Sequence, residues 1–540
     1  MKNMILRIAL PVLLLAGCHN KQKQPVADEK EQLLPRNLAI TPQNAYSDLF
    51  LDSAAIEQFI AQQHVSDTIA NGIRNFYNVR NLQFAWFASD GLTEQAYGFR
   101  SLYKVVTDSS AKKLDDRVDE LMQSDTLSVS AGNASFVKTE LLLTRRFVQF
   151  VHDQYNTSAA SVVQQFIPLQ KQDVLKMADS ILQSKEKNDV AVNDTYSAVK
   201  KELEKYVAIA HKGGWNTIPA VPKKLVKGTH ATVVTLIKKR LIATGELAGN
   251  DTSDVFSDTL VNAVKSFQQT HGHTPDGIVS NALLQEMNLP VLSRIQQLLI
   301  NMHRMRWVPA TPKDRLILVN IPEFKLHVWE GNKKAFDMNV VVGKDAHGTT
   351  MFSGNLNEIV FSPYWNLPPS IIRNEVLPSM EKNKHYLEEK HMEITGEQNG
   401  LPVIRQLPGE QNALGKVKFL FPNSFNIYFH DTNEKDLFKK DFRAYSHGCI
   451  RLEDPVKMAQ YLLQDMPKWT PQRIDSAMNS GKEKFVELKK PVPVLISYYT
   501  AWMDENNTLQ FRADIYGHDA KLAARMFTTP LAKDSTLAEK

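Results

Sequence analysis

Cysteine is nearly absent from this chain: there are two in 540 residues, Cys18 and Cys449. Dense blocks of lysine or arginine are missing too. Lys+Arg 64 against Asp+Glu 59 leaves a net charge of +5, which is mild for this length. Nucleic-acid binding is therefore not suggested. Beyond the extreme N-terminus no apolar run approaches the ~20 residues that cross a bilayer as a helix. Glycine and proline are rare between about 45 and 210, which favours helix there. What remains is ordinary for a soluble globular protein, with 43% hydrophobic and 23% charged residues. The length exceeds what one core serves, so about three or four domains are expected.

The N-terminus, "MKNMILRIALPVLLLAGC", sets Lys2 and Arg7 before and within an apolar stretch from Ile5 to Ala16. That stretch is too short to span a membrane and fits the apolar region of an export signal. It ends in Leu15-Ala16-Gly17-Cys18, which resembles the lipobox of bacterial lipoproteins. The resemblance implies a lipid on the Cys18 sulfur, removal of residues before it, and an exported, periplasmic protein anchored to a membrane of the envelope. A lipidated Cys18 cannot pair with Cys449, so no internal disulfide is expected. A lone thiol in an oxidising compartment is a liability, and its retention asks for a reason.

Residues 19–44 are polar in their first half and punctuated by Pro25 and Pro35, and read as a flexible tether. From 45 to 210 the apolar spacing is helical, as in "AAIEQFIAQQ" and "FVKTELLLTRRFVQFVHDQY". A Gly/Pro-marked linker, 211–224, leads to a compact unit at 225–292. There Val233, Leu236, Ile237 and Leu241 share one helix face, and Leu260, Val264 and Phe267 another, with Asp258 as a candidate cap. A Pro-Asp-Gly turn and a third short helix follow. His271 and His273 form a His-x-His pair, read as a loop feature and not as a metal site. From about 313 the pattern becomes β-rich, with a hairpin signal at Glu330-Gly331-Asn332. A charged helical segment at 373–394 interrupts it. Residues 491–540 close the chain with strand-like runs and a tail.

The chemistry gathers around Cys449. A thiol attacks carbonyls as its thiolate, so it needs a base or a lowered pKa. His430, at the end of the strand-like "FNIYFH", and His447 are the nearest imidazoles in sequence. Gly448 lets the backbone turn closely, and amides near such a turn suit a developing oxyanion. Pro455 opens a helix just downstream, whose N-terminus would favour negative charge.

The set His430, Thr432, Asn433, Ser446-His447-Gly448-Cys449, Arg451 and Asp454 resembles the signature of the L,D-transpeptidase family. The upstream "VVVGK" and "TTMFSG" also resemble its β-domain, and Asp276-Gly277 with Phe267-Gln268 resembles the three-helix peptidoglycan-binding domain. The whole resembles the large subgroup with a scaffold. That resemblance implies a multidomain α+β fold. Its parts are a mostly helical N-terminal scaffold, a peptidoglycan-binding domain at 225–292, and a β-rich catalytic domain at 313–490 whose capping insertion includes 373–394.

By that resemblance Cys449 is the nucleophile and His430 the proton donor and acceptor, with no metal or organic cofactor required. Ser446, His447, Gly448 and Arg451 support them. His447 either shapes the loop or lends positive charge. Arg451 either meets a substrate carboxylate or pairs with Glu453 or Asp454 at the surface. Tyr364 and Trp365 line a donor groove or pack as core. Asp431 stands where the family often has glycine, which leaves open what orients the imidazole. His347, in "DAHGTT", is read as a loop histidine outside the motif. The implied partners are peptidoglycan stem peptides, the membrane through the lipid, and other cell-wall enzymes. The implied reaction joins tetrapeptide stems by 3→3 links through a cysteine acyl-enzyme. Water or an envelope lipoprotein as acceptor, or a non-catalytic wall anchor, are the rival readings. A papain-like protease lacks support, since the cysteine follows its candidate base and such an enzyme has the opposite order.

Overall fold

The computed structural model describes residues 32–102, 109–124, 127–184, 194–308, 314–344 and 348–532. The candidate signal segment, Cys18 and His347 lie outside them. Of the expected tether, 32–44 are described, and they do not hang free. Asn37 N–H donates to the Asn78 carbonyl at 2.8 Å, and Ile40 is fully buried.

The N-terminal half is helical, as its spacing requires. Helices such as Asp67–Val79 and Ala134–Tyr155 bury one apolar stripe each against a shared core. Trp86, Phe99, Phe147 and Trp307 meet there ring against ring. Glu140 is buried under them, and its carboxylate accepts the Ala85 and Trp86 amides at 2.7 and 3.0 Å. Desolvation still raises it to about 7. A helix at Val291–Met305, buried along nearly its whole length, forms the spine of this region.

The C-terminal segment returns to that spine. Asn301 Nδ2 donates to Thr500 Oγ1 at 2.7 Å, and Arg304 pairs with Glu94 at 2.6 Å and with Asp519 at 2.5 Å. So the hairpin Ala501–Met503/Leu509–Phe511 and the helix His518–Met526 belong with the scaffold core, not with a separate tail.

Residues 225–292 form the expected three helices, Thr232–Thr244, Asp258–Thr270 and Asn281–Met287, around their own core. Ser257, not Asp258, caps the second: its hydroxyl accepts the Leu260 amide.

The catalytic-region sheet has nine strands: β1 Arg315–Asn320, β2 Lys325–Glu330, β3 Lys333–Gly343, β4 Phe352–Phe361, β5 Val417–Leu420, β6 Phe429–His430, β7 Ala444–Ser446, β8 Ile450–Leu452 and β9 Lys484–Ser497. Their order is β7-β3-β8-β6-β5-β4-β9-β1-β2, and β2 also pairs β3, which closes the sheet on itself. The β2–β3 turn falls at Gly331, as its sequence suggested. The expected boundary at 490 cuts through β9, whose run to Ser497 pairs in parallel with β1.

The interruption is wider than 373–394. Strands Trp365–Asn366, Met392–Gln398 and Leu401–Gln406 make a separate three-stranded sheet. Short helical turns between Pro369 and Glu389 cover it. Leu367, Ile371, Ile372, Val376 and Ile404 give it a small core of its own.

Candidate active site

Two short parallel strands bring the chemistry together. In the β6–β8 pairing Phe429 lies beside Ile450 and His430 beside Arg451. Phe429 and Ile450 are fully buried on the core face. Side chains alternate across a strand, so His430, Tyr428, Arg451 and Cys449 share the opposite face. With strands ~4.8 Å apart and a rise of ~3.3 Å per residue, the Cα atoms of His430 and Cys449 stand about 8 Å apart, within reach of side-chain contact. The rings of Tyr428 and His430 have centroids 5.8 Å apart, and Tyr428 hydrogen-bonds the Cys449 sulfur, so the three groups form one cluster.

The loop holding the cysteine is fixed from both sides. Gly448 takes a φ of 110°, a conformation that side-chain-bearing residues rarely adopt. Ser446 Oγ donates to the Cys449 carbonyl at 2.6 Å and accepts the Gly448 amide at 3.2 Å. Thr349 Oγ1 donates to the Gly448 carbonyl at 2.8 Å and accepts the Gly343 amide at 3.0 Å. Ser446 is thus a loop brace. The stretch that holds His347 contributes Thr349 to the site.

His430 is buried, and its Nδ1 lies 2.5 Å from the Asp431 carbonyl oxygen. A carbonyl only accepts, so Nδ1 carries the proton and Nε2 keeps its lone pair. The orienting contact is therefore backbone and local, one residue along. Asp431 is itself held: its carboxylate accepts the Lys416 and Thr432 amides at 2.8 Å and pairs with Lys435 at 2.7 Å. Gly415 makes room for it, since a Cβ there would stand 2.3 Å from Asp431 Oδ2.

Burial pushes His430 down to about 3, with the Arg451 charge adding to the effect. Burial also raises the Cys449 thiol to about 11, against opposing hydrogen bonds from the Tyr428 amide and hydroxyl and the Arg451 charge. The resting pair is therefore a neutral thiol and a neutral imidazole. Ionising that thiol alone at pH 7 would cost about 5 kcal/mol, at about 1.4 kcal/mol per pH unit. A base beside it is required, not optional. The thiol at rest lies 3.5 Å from the Asn426 carbonyl oxygen. The helix beginning at Pro455 gives no help, because Asp454 Oδ1 already accepts the Lys457 amide at 2.9 Å.

Residues 314–494 match the model of the L,D-transpeptidase catalytic domain, YkuD. That match makes this third of the chain similar to L,D-transpeptidase catalytic domains. Residues 71–203 match the scaffold-domain model and 231–287 the model described as "Putative peptidoglycan binding domain". A Haemophilus influenzae protein named "Putative L,D-transpeptidase" is 32% identical over 243 residues, which is 42% of this chain. The chain spans 49% of that relative's length.

Solved structures of the family are similar in part. The L,D-transpeptidase from Stackebrandtia nassauensis is 14% identical, with 52% of this chain and 97% of that one covered and a TM-score of 0.23. L,D-transpeptidase 3 from Mycobacterium tuberculosis, in complex with a faropenem-derived adduct, is 12% identical, with 34% and 60% covered and a TM-score of 0.18. Overall likeness at that level decides nothing about the site.

Within residues 314–494 the remaining expected residues are placed as follows. Arg451 pairs with Glu434, not with Glu453 or Asp454. Its Nε is buried without a hydrogen-bond partner among the described residues. His447 is exposed, and its Nε2 lies 3.1 Å from Glu375 Oε1 of the insertion. Tyr364 lies under the Arg405 guanidinium, 4.1 Å from ring centroid to cation, and Trp365 packs on the insertion's small core. Both thus contact the insertion while staying only partly buried. Tyr428 and Thr349 are the residues that the sequence did not single out. Tyr428 was open to inference, since it stands two places before His430 and so shares its face of the strand.

Proposed function

We propose that the protein is a peptidoglycan L,D-transpeptidase with Cys449 as nucleophile and His430 as general base and acid. The supporting observation is the register that sets both on one face of β6 and β8, with His430 Nδ1 tied to the Asp431 carbonyl and Nε2 left with its lone pair as the proton acceptor. His430 Nε2 takes the thiol proton as the sulfur attacks the carbonyl of the third residue of a tetrapeptide stem. The attack and the proton transfer go together, because neither group carries charge at rest. The thiolate and imidazolium that develop attract each other by about 4 kcal/mol at 4 Å separation, which offsets about a third of the roughly 11 kcal/mol that separates the two groups as proton donor and acceptor.

The amine of the terminal D-alanine then leaves with that proton, and a thioester remains on Cys449. An amine on a neighbouring stem attacks the thioester, and the thiol is restored with a 3→3 link formed. The peptidoglycan-binding match at 231–287 supports the same polymer as substrate. Purified enzyme on sacculi rich in tetrapeptide stems is expected to yield 3→3 dimers in muropeptide mass spectra. Tripeptides alone would redirect the reading to an L,D-carboxypeptidase, and unchanged stems would end it.

We propose further that the chain is exported and carries a lipid on Cys18. Metabolic labelling with an alkynyl fatty acid is expected to mark the wild-type chain and not Cys18→Ala. Equal labelling of both would remove the anchor from the model.

A further inference from the structure

On the scaffold side of the cysteine loop there is a cavity of about 240 Å³. Three parts of the chain meet in its wall. The scaffold supplies Tyr46, Glu94 and Tyr97, the segment after β3 supplies Thr349, and the helix His518–Met526 supplies Lys521 and Arg525. Lys521 and Arg525 are four apart and so project from one face of that helix.

The charges are placed unevenly. Glu94 is held by the Arg304 guanidinium in a two-pronged contact at 2.6 and 3.0 Å, and Asp519 shares that cation. Lys521 and Arg525 pair with the same carboxylate, Asp90, which is half exposed. Two cations against one carboxylate make this helix face the positive end of the wall. His518 also lines it, and burial lowers its pKa, so it adds no charge of its own. Leu92, Met351 and Leu522 supply apolar wall. The volume falls short of the ~300 Å³ at which drug-sized sites begin, so the occupant is one or two residues in size.

We propose that this cavity binds a small carboxylate on a short apolar body, the size of an amino acid or a dipeptide end. Lys521 and Arg525 take the carboxylate, and the aliphatic wall takes the rest. The occupant touches the machinery without joining it. Thr349, in the wall, is the brace on the Gly448 carbonyl. Tyr516, also in the wall, donates to the Gly343 carbonyl on the same strand end. Two sources share this chemistry: the carboxylate of an acceptor stem, which rests on the transpeptidase reading, and a free small carboxylate acting as effector.

The test is calorimetric titration of the full chain with N-acetyl-D-alanine and, in parallel, with its uncharged amide. The acid is expected to bind saturably and the amide at least tenfold more weakly. Lys521→Gln is expected to lower affinity for the acid about tenfold, and Lys521→Arg to retain it. The melting temperature of each unliganded variant reports whether it is folded. Equal binding of acid and amide, no saturable heat, or an unchanged folded Lys521→Gln would overturn the proposal.

Kinetics then separate the sources. If the site holds the acceptor's end, the acid raises the KM for acceptor amine at an unchanged acylation rate. If it holds an effector, the acid changes acylation without competing. No change in either step would overturn the link through Thr349. Binding is read without turnover, so its failure and a failure of transpeptidation are told apart.

Discussion

Cys449→Ala is expected to remove acyl transfer, with turnover on tetrapeptide stems reduced about 10⁴-fold or more. The size follows from the role. Hydrogen bonds and shape can hold a stem in place, but without the sulfur no thioester forms and the step has no nucleophile. The change should leave the fold nearly untouched. The bonds that fix its loop come from Ser446 and Thr349, which remain. Intact mass after incubation with a carbapenem, a β-lactam that the family resemblance implies will acylate the thiol, is expected to show one adduct on wild type and none on the variant. An adduct that persists in Cys449→Ala would place the acylated group elsewhere. The same thiol should be slow toward iodoacetamide. Held near 11 against an ordinary 9.0, it has about a hundredfold less thiolate at pH 8 than an unhindered cysteine.

The centre of this site was legible in the sequence because its information is local. Gly448 permits a turn, Ser446 and Cys449 are close enough to bond within it, and His430 ends a strand that reads as one. The supports were not legible for the opposite reason. Thr349 reaches Gly448 across 99 positions, and the pairing that allows it depends on how β3 and β7 align. No periodicity in "DAHGTT" announces that contact. Arg451 illustrates the same limit. Glu453 and Asp454 are its neighbours in sequence, but Glu453 is turned back to the Asn339 amide and Asp454 caps a helix.

Domain boundaries failed where a pattern crossed them. The apolar alternation of "VELKKPVPVLIS" continues past 490 because β9 is one strand, paired first with β4 and then also with β1. The insertion was underestimated because its strands, such as Met392–Gln398, are largely exposed and so lack the apolar alternation that marks a strand. Electrostatics was the deepest gap. A histidine near a cysteine in sequence suggests an ion pair, whereas burial of both leaves them neutral. Burial is a property of the closed barrel and not of the motif.

His430→Asn is expected to cost about 10²–10⁴-fold in acylation, the usual worth of a positioned proton acceptor. It also carries a signature in stability that a merely structural residue would not give. The folded His430 titrates at about 3 and the unfolded one at 6.5. Between those values the unfolded chain binds a proton that the folded chain refuses. Stability therefore falls as pH drops through this window and is unaffected by this group above it. From pH 6.5 to pH 4 the loss from His430 is about 3 kcal/mol, at about 1.4 kcal/mol per pH unit. The variant is expected to lose that much less over the same interval. Any fixed cost of the substitution cancels, because each protein is compared with itself at the two pH values. His303, also buried and held at about 3, remains in both, so the variant's acid loss is shallower and not absent. Hydrogen exchange of the β6 and β8 amides reads the catalytic domain separately from the scaffold. Parallel pH slopes for wild type and variant would mean that His430 is protonated or exposed at rest, and the neutral-pair mechanism would fall with it.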